Sequence, residues 1–119
     1  MVQNIAQAII CQAKEERAQD IYFVPKENVY ELYMRIGDER RFIRNYEFEE
    51  LAAVISHFKF TAGMNVGEKR RSQLGSCDYQ YSDKKMSLRL STVGDYRGYE
   101  SLVIRLLHDE EAELKFWFA

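Results

Sequence analysis

The residue types most often used for catalysis and metal binding are scattered in this chain. Its two histidines, His57 and His108, stand alone, and its two cysteines, Cys11 and Cys77, are far apart in sequence. A metal site needs three or four converging ligands, and the sequence has neither a CxxC pair nor an HExxH motif. It also lacks the glycine-rich loops GxxxxGKS/T and GxGxxG, which cradle phosphates. We therefore expect no metal site, and no catalysis from this chain alone.

Arginines are the remaining candidates for chemistry, because a guanidinium binds phosphate or carboxylate oxygens through a planar fork of N–H donors. Arg89 and Arg105 fall on consecutive predicted strands and would be neighbours if those strands form a hairpin. From the residues alone, the better expectation is that each arginine pairs with a carboxylate, such as Glu100, on the polar face of a sheet.

Two helices and six strands must position these side chains. Apolar residues at Phe48, Leu51, Ile55 and Phe58 repeat with helical spacing, and Gly63 is a natural helix stop. Alternation of apolar and polar residues, as in the segment 86–91, predicts half-buried strands. In chain order the predictions are helix 2–17, strands 21–24, 29–36 and 40–45, helix 47–62, a short helix and loop in 66–73, and strands 76–81, 86–93 and 99–107.

Short turns rather than helices join most of these strands, which predicts an α+β domain with a mostly antiparallel sheet and helices packed on one face. The length of 119 residues is that of a single domain, residues 1–119. The aromatic end, Phe116–Ala119, suggests either a piece of a longer protein or an end that tucks onto the sheet.

The charge balance argues against nucleic acid and membrane partners. The chain has 17 Lys and Arg and 19 Asp and Glu, which gives a net charge of -2. This charge disfavours non-specific electrostatic binding to DNA or anionic lipid. Glu68–Arg71 lacks the interleaved aromatic residues of a nucleic-acid site, and the basic segment 40–44 is better explained as an edge strand protected by charge. With no apolar run long enough to cross a bilayer and no signal peptide, we expect a cytoplasmic domain without membrane insertion or direct nucleic-acid contact.

An ordered set of motifs between about Gln19 and Leu107 carries a family resemblance. The motifs are Ala18–Pro25, Arg35–Asp38, Ile55–Arg70, Gln73 with Gly75, Leu88–Thr92, Gly98 with Glu100, and Leu102–Leu107. Together they resemble the N-terminal, PAS-like domain of the type II secretion and type IV pilus assembly ATPases, the GspE/PilB family. Because the chain starts almost directly at this domain, it is most similar to the competence traffic ATPases of Gram-positive bacteria within that family.

The resemblance implies a regulatory and assembly domain that closes over ATP and Mg²⁺ held by a motor domain beyond Ala119. It also implies a hexameric ring in which this domain contacts the ATPase core of its own and a neighbouring subunit. The ring would lie in the cytoplasm at the inner face of the cell membrane, where it would power pseudopilus assembly for DNA uptake through the inner-membrane machinery. No cofactor is expected to bind tightly to this chain alone. The alternative is a free-standing PAS-like module that binds a small ligand or a partner.

By the same resemblance, Arg89 and Arg105 match the family's arginines that contact the ATP phosphates. The chain also departs from the family pattern, because Ser72, Leu74 and Ser76 replace a proline, an aspartate and an arginine. If the missing arginine binds nucleotide elsewhere in the family, this chain lacks that contact at Ser76.

Overall fold

Two helices cover one face of a six-stranded sheet in the computed structural model, which describes residues 1–81 and 83–108. In chain order the elements are α1 (Val2–Glu15), β1 (Asp20–Pro25), β2 (Tyr30–Ile36), β3 (Glu39–Tyr46), α2 (Phe48–Thr61), β4 (Gln73–Tyr81), β5 (Lys84–Gly94) and β6 (Glu100–Leu107). The strands lie in the order β3-β2-β1-β6-β5-β4, and the described pairs are antiparallel. The predicted α+β fold with helices on one face is confirmed.

The end of α2 shows how the sequence fixes an element boundary. Gly63 adopts a φ of +71°, which glycine tolerates without strain. Its N–H donates to the Phe60 carbonyl at 3.1 Å, and the Met64 N–H donates to the Lys59 carbonyl at 2.8 Å. This is a Schellman motif, so the predicted stop at Gly63 is confirmed. The short helix predicted in 66–73 is wrong, because this segment forms turns before β4 begins.

The core lies between the helices and the sheet and follows the alternation of the strands. On β5 and β6, Leu88, Leu90, Ile104 and Leu106 are buried, whereas the residues between them point to the other face. From α2, Phe58 packs edge-on against an aromatic ring of β1 at a centroid distance of 6.1 Å. Burial of this apolar surface stabilises the sheet and determines which side chains remain on its open face.

The chain is hydrogen-bonded to both neighbouring strands from the residue that immediately precedes the central strand β1. The Gln19 N–H donates to the Arg35 carbonyl at 2.8 Å, and the Gln19 carbonyl accepts from the Leu106 N–H at 3.0 Å. The next residue, Asp20, is therefore held between β2 and β6.

The sequence raised the questions of where its aromatic C-terminal segment lies and whether a helix could cross a membrane. The aromatic end, Phe116–Ala119, lies outside the described residues. Within the described part of the chain, neither helix has the length and apolar character needed to cross a membrane.

Candidate functional site

One line of directly paired residues crosses the open face of the sheet, opposite the helices. In strand order it consists of Arg40, Arg35, Asp20, Arg105, Arg89 and Ser76. We call this line the arginine row. Adjacent strands lie about 4.8 Å apart, so the four arginines and the one aspartate share a narrow band. The row concentrates positive charge on a chain whose net charge is -2.

Arg89 and Arg105 are directly opposite each other on β5 and β6, so their expected neighbourhood is confirmed. Both are exposed, because each lies between two buried residues of its strand. Among the residues that the structure describes, Arg89 has neither an ion pair nor a side-chain hydrogen bond. The pair therefore presents cationic donors to solvent on one face. Its contact with a nucleotide stays a prediction.

Asp20 lies beside this pair and is the buried carboxylate of the row. Its side chain is 6% exposed, whereas that of Arg105 is 66% exposed. Nε of Arg105 donates to Oδ1 of Asp20 at 3.1 Å, and this hydrogen bond raises the pKa of the Arg105 guanidinium. On the other side, the Tyr22 hydroxyl donates to Oδ2 at 3.3 Å, and Nε of Arg35 lies 3.8 Å from the same oxygen. Asp20 thus connects Arg105 with the β2 side of the row.

The arginines on β2 and β3 are engaged within the sheet. Nε of Arg35 donates to the Tyr22 hydroxyl at 3.1 Å, and this contact raises the pKa of Arg35. The guanidinium carbon of Arg40 lies 4.7 Å from the Tyr22 ring centroid and 4.5 Å from that of Tyr33, which are cation–π distances. Among the described residues, Arg89 is consequently the one guanidinium of the row with neither a hydrogen bond, an ion pair nor an aromatic contact, and Arg105 uses only its Nε donor.

The carboxylate proposed above as an alternative partner, Glu100, does not reach the row. It lies on the helix side of β6, in phase with the buried residues and out of phase with Arg105. There Lys59 of α2, fully buried, donates to both Glu100 carboxylate oxygens at 2.8 and 3.0 Å. The expectation that Glu100 pairs with Arg89 or Arg105 is therefore wrong, and the carboxylate that pairs with Arg105 is Asp20.

Lys59 also forms hydrogen bonds with the turn segment that follows α2. Nζ of Lys59 also donates to the carbonyl of Glu68 at 2.8 Å and to that of Val66 at 3.4 Å. The Glu68 carboxylate in turn accepts the backbone N–H groups of Arg70 and Arg71. A buried lysine is unusual, and its burial is accounted for because its three N–H donors are shared among these four oxygens.

Sequence reasoning missed three residues of this arrangement: Asp20, Arg35 and Lys59. All three lie within segments that carry the family resemblance, and that was the available signal. Their side chains meet partners on strands or helices distant in sequence, which alternation within one strand does not reveal.

Ser76 occupies the end of the row opposite Arg89, where the family pattern has an arginine. Leu74, two residues before Ser76 and on the same face of the sheet, is 83% exposed. Val93, four residues after Arg89 on that face, is 53% exposed. The end of the row at β4 thus combines a free guanidinium with exposed apolar side chains, a mixture typical of binding surfaces.

The candidate catalytic groups His57, Cys11 and Cys77 are partly buried in the described structure. His57 is half-buried, and its Nε2 lies 3.0 Å from the Tyr79 hydroxyl; burial lowers the pKa of this imidazole. Cys11 and Cys77 are free thiols, and burial raises the pKa of Cys77. Among residues 1–81 and 83–108, no three His, Cys, Asp or Glu side chains converge as metal ligands. The feature that the described residues build is an exposed cationic surface at Arg89 and Arg105.

Comparison with known proteins agrees with the motifs. A family model described as "Type II/IV secretion system protein" matches residues 1–117. The chain is 74% identical over 118 residues to "Competence protein ComGA" of Streptococcus pneumoniae (strain ATCC BAA-255 / R6), covering 99% of this chain and 38% of that protein. It is 33% identical to ComGA of Bacillus subtilis (strain 168), over 89% of this chain and 30% of the relative. It is 34% identical to "Type IV pilus assembly ATPase PilB" of Thermus thermophilus, over 88% of this chain and 12% of the relative.

Proposed function

This chain belongs to the type II/IV secretion system protein family, and we propose that it is the N-terminal regulatory and assembly domain of a hexameric traffic ATPase. In this proposal the parent protein, which joins the chain to a motor domain, powers pseudopilus assembly for DNA uptake in competence. The two ComGA relatives described above bear the name competence protein, and the chain covers 38% and 30% of their lengths.

The observation that carries the proposal is the placement of Arg89 beside Arg105. Two directly paired, exposed arginines face the same side, and the described residues leave Arg89 without a carboxylate partner. A pair of guanidinium forks fits the several oxygens of a polyphosphate, and hydrogen bonds between charged partners are short and strong. The exposed donors therefore suit a ligand that approaches from outside the domain.

The arrangement also suits a lid over a nucleotide held by another domain. ATP with Mg²⁺ would be bound by the motor domain and would supply the phosphoryl group that is transferred to water. Arg89 and Arg105 would bind and orient its phosphate oxygens and stabilise negative charge on them. Because the arginines lie on paired strands of a packed sheet, their spacing is set before the nucleotide arrives.

The partners and location follow from the same proposal. The open face would contact the ATPase core of the same or a neighbouring subunit, and the ring would work at the inner face of the cell membrane with the pseudopilus machinery. The exposed Leu74 and Val93, which lie on the same face of the sheet as the arginines, would contribute apolar contacts to that interface.

ATP turnover by the parent protein tests the arginine assignment. A hydrogen bond between charged groups contributes about 1.5–3 kcal/mol, so we expect Arg89→Ala or Arg105→Ala to lower kcat/KM about ten- to a hundredfold. Arg41→Ala is the matched control, since Arg41 is an exposed arginine on the helix side of β3, paired with carboxylates of Glu16 and Glu39.

Unchanged turnover in both arginine variants would overturn the arginine assignment. A small molecule that binds the isolated chain tightly, detected by a rise in melting temperature, would instead favour the free-standing module.

A further inference from the structure

Asp20 is the feature of the arginine row that the proposed function has not used. Its carboxylate is almost completely buried although it points to the open face, because Arg35, Tyr22 and Arg105 surround it. A buried carboxylate is costly unless it is paired and hydrogen-bonded. Here each oxygen has a donor, Arg105 on Oδ1 and Tyr22 on Oδ2.

The atoms used in the Asp20–Arg105 contact are informative. A guanidinium has five N–H donors, one on Nε and four on the two terminal nitrogens. Asp20 takes the Nε donor. Within the described residues the terminal nitrogens of Arg105 make no hydrogen bond, and the side chain remains 66% exposed. Arg105 is therefore held at its inner end while its outer fork stays available.

The register explains why the Asp20 carboxylate reaches this arginine. Asp20 is opposite Arg105 on one side and opposite Arg35 on the other. Arg35 is itself held by the Tyr22 hydroxyl, so the carboxylate is supported from the β2 side. The outer fork of Arg105 is left unpaired among the described residues, on the strand next to that of Arg89.

We infer that Asp20 is a positioning residue for anion binding: it holds Nε of Arg105 so that the terminal nitrogens of Arg105 and the guanidinium of Arg89 bind one polyphosphate together. This inference rests on the proposed function and adds to it the residue that orders one of the two arginines. Preorganisation of this kind lowers the entropy lost when the ligand binds.

One consequence distinguishes positioning from simple structural support. A lysine has a single ammonium group, which pairs either with Asp20 or with a phosphate. In an Arg105→Lys protein, Asp20 would therefore capture the ammonium, and removal of the Asp20 charge would release it for the phosphate. The effect of Asp20→Asn should change sign between the two backgrounds.

The experiment measures kcat/KM for ATP in the parent protein across these backgrounds, with melting temperature as the measure of folding. We expect Asp20→Asn alone to lower kcat/KM about five- to twentyfold, and less than twofold when Arg105→Ala is already present. In the Arg89→Ala background, Asp20→Asn should still lower kcat/KM by the full five- to twentyfold. With Arg105→Lys, Asp20→Asn should raise kcat/KM at least twofold.

The outcomes separate the two ideas. If neither Arg89→Ala nor Arg105→Ala lowers kcat/KM, the proposed function fails. If both lower it but Asp20→Asn reduces kcat/KM by the same factor in every background, Asp20 only supports the fold and the positioning role is wrong.

A measurement without substitution keeps the inference testable if Asp20→Asn does not fold. In ¹⁵N NMR spectra of the unsubstituted chain titrated with inorganic tripolyphosphate, the Arg105 Nε–H signal should stay protected from exchange while the signals of its terminal nitrogens shift. An Nε–H signal that exchanges freely, or that shifts most on titration, would show that Asp20 does not hold Nε and would overturn the inference.

Discussion

Replacement of Lys59 by methionine probes the buried ion pair that joins α2 to β6. The substitution removes the ammonium group and leaves the Glu100 carboxylate, only 5% exposed, without its cation. It also deprives the Glu68 and Val66 carbonyls of a donor. Loss of one partner of a buried pair costs about 3–5 kcal/mol, a large part of the roughly 5–15 kcal/mol that stabilises a domain. With a urea dependence of about 1.5 kcal/mol per molar, the unfolding midpoint should fall by about 2–3 M.

Urea unfolding followed by circular dichroism measures this effect, and two further variants interpret it. Lys85→Met is the matched control, because Lys85 is an exposed lysine of β5. The double variant Lys59→Met/Glu100→Leu removes both charges and should recover most of the loss, since an apolar replacement of a buried pair is often close to neutral. A Lys59→Met protein within about 0.5 kcal/mol of the Lys85→Met protein would refute the reasoning, because surface substitutions have effects of that size.

Three further predictions follow from single positions. Ser76→Arg places a third guanidinium beside Arg89 and should tighten tripolyphosphate binding by the chain about five- to tenfold, measured by calorimetry. Gly94→Ala drives a Cβ into the Lys69 carbonyl and should cost about 2 kcal/mol or more in urea unfolding. Burial lowers the pKa of His57 below its ordinary 6.5, so stability should fall as pH drops through about 6.5 and level off below the folded-state pKa; His57→Gln should remove this part of the urea-midpoint difference between pH 7.5 and 5.5.

Each of these predictions has its own control. Unchanged tripolyphosphate affinity in the Ser76→Arg protein would show that the β4 end of the row does not face the anion. Gly67→Ala meets only the Asn65 side chain at 3.7 Å, an ordinary contact, and should be nearly neutral; a Gly94→Ala protein of equal stability would contradict the close approach. An unchanged pH dependence in His57→Gln would assign that dependence to other groups.

Local patterns were sufficient to predict the two long helices, the six strands and the face on which Arg89 and Arg105 lie, but they wrongly predicted a short helix in 66–73. The alternation of Leu88 and Leu90 with Arg89 identifies the buried face, because side chains on a strand have a period of two. The turn at Gly37, with a φ of +64°, joins β2 and β3 through two residues and so fixes their register as far as Tyr33, beyond which the pairing shifts by one residue.

The site could not be completed from these patterns, because its remaining contacts are non-local. Asp20 reaches Arg105 only because β1 pairs with β6, and the two residues are 85 positions apart. Lys59 and Glu100 are 41 positions apart in sequence. Because lysine is ordinarily exposed, the helical spacing of apolar residues in α2 did not predict that Lys59 is buried. Glu100 is separated from the buried residues of β6 by an even number of positions, and this alternation did indicate that Glu100 faces the helices.

The most direct test of the account is a structure of the parent protein with a non-hydrolysable ATP analogue and Mg²⁺ bound. We expect terminal nitrogens of Arg89 and Arg105 to lie within hydrogen-bond distance of phosphate oxygens, with Nε of Arg105 still hydrogen-bonded to Asp20. Phosphates remote from both guanidinium groups, with the arginine row covered by another surface or left in solvent, would contradict it.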